Sequence, residues 1–119
     1  MTRIGIATAL ASILMLGSAS FAAQKDQTFT GEITDNQCAK MGSHQAMMKS
    51  MNMKSPKECA LGCVKAGGKF VLYNAAAKTV YQLDDQTKPE QFAAEKVVVI
   101  GSLNKDTGTI HVTDIKRVR

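Results

Sequence analysis

Every cysteine of the 119-residue chain lies between positions 38 and 63: Cys38, Cys59 and Cys63. The same stretch carries His44 and five of the seven methionines, Met41, Met47, Met48, Met51 and Met53. Thiolate and thioether are soft donors, and imidazole is borderline. Cys38, His44, Cys59 and Cys63 therefore form a Cys3His set, enough for tetrahedral zinc. Met47, Met48 and Met51 add the thioethers that Cu(I) prefers. Cys59 and Cys63 are four apart, so on a helix they share one face and can reach one ion. The spacing is Cys-x3-Cys, not the Cys-x2-Cys of common zinc sites, so the pattern is only moderately specific.

Two other chemistries compete for the same residues. In an exported domain cysteines usually pair. Cys59 and Cys63 run nearly parallel on one helix, which is poor disulfide geometry, so a bridge from Cys38 to Cys59 or to Cys63 is the expected alternative. It closes a loop of about 20 to 25 residues, worth roughly 3 kcal/mol in the loop-entropy view. One thiol is then left over, and the methionines are the buried face of a helix. The third reading is thiol redox chemistry, because Cys59 falls in the first turn of a helix, where a thiolate is favoured. Against it, no thioredoxin-like βαβ pattern surrounds the cysteines. His44 alone would be an ordinary exposed residue near a helix start, and His111 reads as a surface-facing strand residue. Gly-x-Ser-x-Gly, His-Glu-x-x-His and phosphate-binding glycine loops are all missing. Asp84-Asp85 reads as a turn. The chain is accordingly read as a non-enzymatic binding domain.

These side chains need a scaffold. Thr28 to Thr34 alternates apolar and polar residues and reads as a strand. Asp35-Asn36-Gln37 reads as a turn. Residues 39–66 are rich in Met, Lys, Ala and Gln and read as a helical insertion. Ser43 is the expected cap of a first helix running to about Asn52. Ser55-Pro56-Lys57-Glu58 carries a capping box with proline at the first helical position, and Gly67-Gly68 ends that second helix. Strands are then expected over 69–74, 79–83, 96–103 and 109–115, the last with a one-residue slip before Ile115. Pro89 to Glu95 has room for a turn or two of helix. Five short strands in fewer than 100 residues predict a mainly β fold, a small five-stranded OB-like barrel with a helical Cys/Met-rich insertion after the first strand.

The N-terminus supplies the location. Arg3, the uncharged apolar run Ile4 to Gly17 and the small residues Ser18 to Ala23 have the three-part form of a secretory signal, with cleavage expected after Ala22. Residues 1–22 are thus expected to be removed, leaving a single domain over 23–119 that is periplasmic or secreted. The apolar run is shorter than the roughly 20 residues a bilayer requires, so stable membrane insertion after cleavage is not expected. Of the 15 basic residues Arg3 leaves with the signal, so 14 face 10 acidic ones. The basic residues are scattered and tryptophan is absent. Nucleic acid is not expected as a partner, nor is a carbohydrate-stacking platform. The expected partner is a metal ion or an extracytoplasmic molecule met through the barrel face, with the domain a monomer.

Gly31-Glu-Ile-Thr-Asp-x-x-Cys38, His44, Cys59-x3-Cys63-Val-Lys-x-Gly-Gly-Lys-Phe-Val-Leu72, Val80-Tyr-Gln-Leu-Asp84, Lys96-Val-x-Val-x-Gly101-x-Leu and Thr109-Ile-His-Val together resemble a family of small exported bacterial proteins. Its members carry a domain of unknown function of the DUF5818 kind, and the likeness covers nearly the whole exported part. The resemblance implies an OB-like barrel and a Cys…His…Cys-x3-Cys pattern on Cys38, His44, Cys59 and Cys63. It implies no activity. The leading expectation is binding of a soft metal, zinc or Cu(I), at this cluster, weakening as the pH falls because thiols must deprotonate to bind.

Overall fold

A computed structural model describes residues 25–119; the expected signal segment lies outside the described residues. Alternation of apolar and polar side chains sets the architecture. The strands are β1 (Gln27–Asp35), β2 (Phe70–Asn74), β3 (Thr79–Leu83), β4 (Lys96–Asn104) and β5 (Thr109–Arg117). They follow the ring order β1-β2-β3-β5-β4 and close on β1. One strand makes both ends of this ring: β1 pairs with β4 through Gln27–Glu32 and with β2 through Glu32–Asp35. All pairs are antiparallel except the short parallel join of Gln82 and Leu83 in β3 with Thr109 and Ile110 in β5. This is the expected OB-like order.

Inward side chains fill the ring. Ile33, Leu72, Val97, Val99 and Ile110 are each wholly buried, and burial of each such side chain stabilises the fold by roughly 2 kcal/mol. The expected slip before Ile115 is a bulge: Ile100 pairs with Asp114 but Gly101 with Val112, leaving Thr113 as the extra residue. Gly101 has to be glycine here, since a Cβ would stand 2.0 Å from the His111 carbonyl oxygen. The helical turn expected over 89–95 is a 3-10 turn at Lys88–Phe92, which buries Pro89 and Phe92.

The insertion between β1 and β2 carries three helices: α1 (Asn36–Met41), α2 (Gln45–Met51) and α3 (Pro56–Lys65). Two sequence expectations change here. Asp35-Asn36-Gln37 is not a turn but the start of α1, because the Asp35 carboxylate accepts from the Gln37 and Cys38 amides and caps the helix. The helix expected from Ser43 to Asn52 begins only at Gln45. Ser43 Oγ accepts from the Gln45 amide, His44 occupies the cap position, and Asn52 ends the helix in the left-handed region at φ 54°. The third helix follows the capping signals. Ser55 caps it by accepting from the Glu58 amide, although Glu58 reaches back to the Lys54 amide, not to that of Ser55. At its other end Gly67 (φ 109°) and Gly68 donate to the Val64 and Cys63 carbonyls, the paired bonds of a Schellman stop.

Candidate metal centre

Capping and helix geometry place the sulfurs. Cys38 is the third residue of α1 because Asp35 fixes where that helix begins. Cys59 and Cys63 share the inner face of α3, while Ala60 on the adjoining face joins the barrel core, with Leu61 and Val64 packed against it. The start of α1 is tied to Lys69, which follows α3 and leads into β2. Asn36 donates its amide to the Lys69 carbonyl, and its side-chain oxygen accepts from the Lys69 amide. All three cysteines are buried, and their Sγ atoms lie within 4.8 Å of one another.

The separation of the sulfurs distinguishes the readings. Cys38 Sγ and Cys59 Sγ are 3.6 Å apart, and all three cysteines are free thiols. A disulfide needs about 2.05 Å. Two sulfurs bound at about 2.3 Å to one tetrahedral ion stand about 3.8 Å apart. No two of the cysteines stand at disulfide distance, and Cys38 and Cys59 stand near the spacing of two ligands sharing an ion.

Burial and neighbouring charge keep the metal-free Cys38 and Cys63 thiols neutral. Burial, then the Asp35 carboxylate and Cys59, hold the Cys38 thiol far above the ordinary range. Burial first, with Asp35 and Cys59 adding to it, pushes Cys63 up from 9.0 to about 11. Neutral thiols are poor nucleophiles, which disfavours redox chemistry at Cys38 and Cys63. A cation among them reverses the balance, because it favours the thiolates that burial penalises.

His44 sits at the opening of α2 and does not cap it. Its Nε2 donates to Glu32 Oε1 at 2.5 Å, with Thr34 Oγ1 3.5 Å from the same nitrogen. Its Nδ1 is buried without a partner among the described residues, as is Asp35 Oδ1. Donor atoms of Asp35, Cys38 and His44 also lie within 4.8 Å of one another. Cys38 thus belongs to two convergent triads.

Of the methionines, Met47 and Met48 pack against the cysteines as expected, and Met53 joins them. Met51 does not: it is 47% exposed, because α2 turns that side to solvent. Met53 follows the Asn52 stop, so the chain swings back and lays its side chain on α3. A Cβ at Gly62 would come within 2.6 Å of Met53 Cε. That glycine between the two cysteines was the available sequence signal. Asp35 and Glu32 were also missed, since Asp35 reads locally as a turn residue and Glu32 as an ordinary strand residue. His111 is an exposed strand residue, as expected, and pairs with the Asp84 carboxylate. Burial works to raise the Asp84 pKa, but the Val112 amide and His111 outweigh it and leave it lowered.

A cavity of ≈ 430 Å³ opens beside the cluster, with Glu32, Thr34, Cys38, His44, Tyr73 and Lys96 among its lining residues. No helix among the described residues is long and apolar enough to cross a membrane. The Cys/His/Asp cluster can hold a metal ion. In comparisons with known proteins, no family model, no curated protein and no solved structure matches this chain.

Proposed function

We propose that this is an exported domain that binds a soft metal ion, Cu(I) first and zinc second, through Cys38, Cys59 and Cys63. The carrying observation is the convergence of three buried free thiols within 4.8 Å. Packing of Met47, Met48 and Met53 around them supports Cu(I), since thioethers add to copper affinity and contribute little to zinc. The role that fits is non-enzymatic, as a carrier or buffer of the ion in the periplasm or outside the cell. Metal titration of the reduced domain, with equilibrium competition against a Cu(I) chelator, tests it. Stoichiometric Cu(I) uptake that is abolished by Cys59→Ser is expected; no saturable uptake by the reduced protein overturns it.

The disulfide-stapled module is the second reading. The 3.6 Å approach of Cys38 and Cys59 favours it, because a small movement would let an oxidant join them. Protein isolated from the periplasm with those two cysteines bonded and no metal bound supports the staple against the metal.

A further inference from the structure

The thiol triad leaves three groups unexplained. Asp35 is wholly buried, yet only its Oδ2 is used, by the Gln37 and Cys38 amides. Its Oδ1 has no hydrogen-bond partner among the described residues. Burying a carboxylate oxygen without a partner is costly. The second is the His44 ring, whose Nε2 is held by Glu32 while its Nδ1, a lone-pair donor in the neutral imidazole, is buried with no hydrogen-bond partner among the described residues. The third is Glu32, a carboxylate spent on holding that ring. A histidine whose far nitrogen is held by a carboxylate is the arrangement by which proteins orient an imidazole toward a metal.

We propose a second metal position, distinct from the trithiolate and sharing Cys38 with it, whose ligands are Asp35, His44 and the Cys38 thiolate. Glu32 is its positioning residue. The donor set is one carboxylate oxygen, one imidazole nitrogen and one sulfur, all within 4.8 Å. This is harder than three thiolates and suits a divalent ion such as zinc in preference to Cu(I). The two positions differ in access as well. Cys59 and Cys63 do not line the ≈ 430 Å³ cavity, whereas Cys38 and His44 do. An ion held by three protein ligands at a cavity wall keeps a coordination place for water or for a small anionic or sulfur-bearing ligand. Lys96, in register with Glu32 on the neighbouring strand and lining the same cavity, adds a positive charge that favours an anion. The inference rests on the proposed metal binding and extends it from one ion to two.

Zinc stoichiometry of the reduced full domain tests it, by equilibrium dialysis, on the wild type and on Cys59→Ser, His44→Ala and Glu32→Gln. Two zinc ions are expected in the wild type. Cys59→Ser is expected to keep one, and His44→Ala to keep the other. Glu32→Gln is expected to keep both while weakening one by about 10- to 100-fold. His44 and Glu32 lie outside the barrel core, and far-UV circular dichroism of the metal-free variants checks that each is folded. One zinc in the wild type, unaffected by His44→Ala but lost in Cys59→Ser, overturns the second position and leaves the trithiolate standing. One zinc lost by either substitution means a single Cys3His centre and overturns it too. No zinc or Cu(I) bound by the wild type overturns both readings.

Discussion

The barrel and the insertion are stabilised in different ways. In the barrel, each strand buries alternate apolar residues, and Ile33, Leu72, Val97, Val99 and Ile110 meet in one shared core. In the insertion, α1 and α2 are only six and seven residues long, and α2 has no buried residue. Helices that short do not persist alone in water. Their order comes from helix caps, a few end-to-end hydrogen bonds and the sulfur cluster. A closed barrel holds its own shape; the insertion depends on what gathers Cys38, Cys59 and Cys63. The difference teaches where metal should act: on the insertion's stability, and hardly on the barrel's.

The sharpest attempt to break this contrast starts in the barrel. Leu72→Ala is expected to lower the stability of the metal-free domain by about 2 to 5 kcal/mol, read from urea unfolding, with little change in metal affinity of the folded protein. A parallel loss of affinity would show the two regions to be one cooperative unit. Next comes metal itself. At a free concentration about 100 times the dissociation constant, binding is expected to add about 2.7 kcal/mol. Hydrogen exchange should slow chiefly at residues 36–65; equal slowing in β4 and β5 would remove the distinction.

The pH dependence is opposite in sign with and without metal. Cys63 titrates near 9.0 when unfolded and at about 11 when folded. Its neutral form is thus favoured by folding, so its contribution is fully present below pH 9 and is lost as the pH rises toward 11. Metal-free, reduced protein is expected to lose thermal stability across that window. Metal-loaded protein gains affinity as the pH rises, since bound thiols must release their protons. Thermal melts with metal and with chelator would compare the two, and matching slopes would count against thiolate ligation. The smallest effects separate two neighbouring methionines. Met51→Ala is expected to change stability by no more than about 0.5 kcal/mol and to leave Cu(I) affinity alone. Met53→Ala is expected to weaken Cu(I) binding measurably, since its side chain packs over Gly62 beside the cysteines.

The barrel was largely legible because its code is local. Alternation at Phe29, Ile33, Ile110 and Val112 sets which faces turn inward, and the early slip before Ile115 marked the bulge at Thr113. The capping signals at Ser55 and Gly67-Gly68 bounded α3 within a residue or so. The insertion was less legible because short caps decide it. Asp35 looked like a turn residue, and only its two amide bonds reveal that it starts a helix.

The sequence by itself determined the composition of the centre: three cysteines, one histidine and a methionine run in a single segment, with Cys59 and Cys63 on one helical face. That much follows from covalent order and the 3.6-residue helical period. Tertiary structure decided what joins them. Cys38 and Cys59 meet across 21 positions of chain, and Glu32 meets His44 across 12. It also decided that Met53 faces the sulfurs while Met51 faces water. Such pairings depend on where α1 is capped and how α3 lies on the barrel, and no local pattern encodes the distance between two segments that only packing brings together.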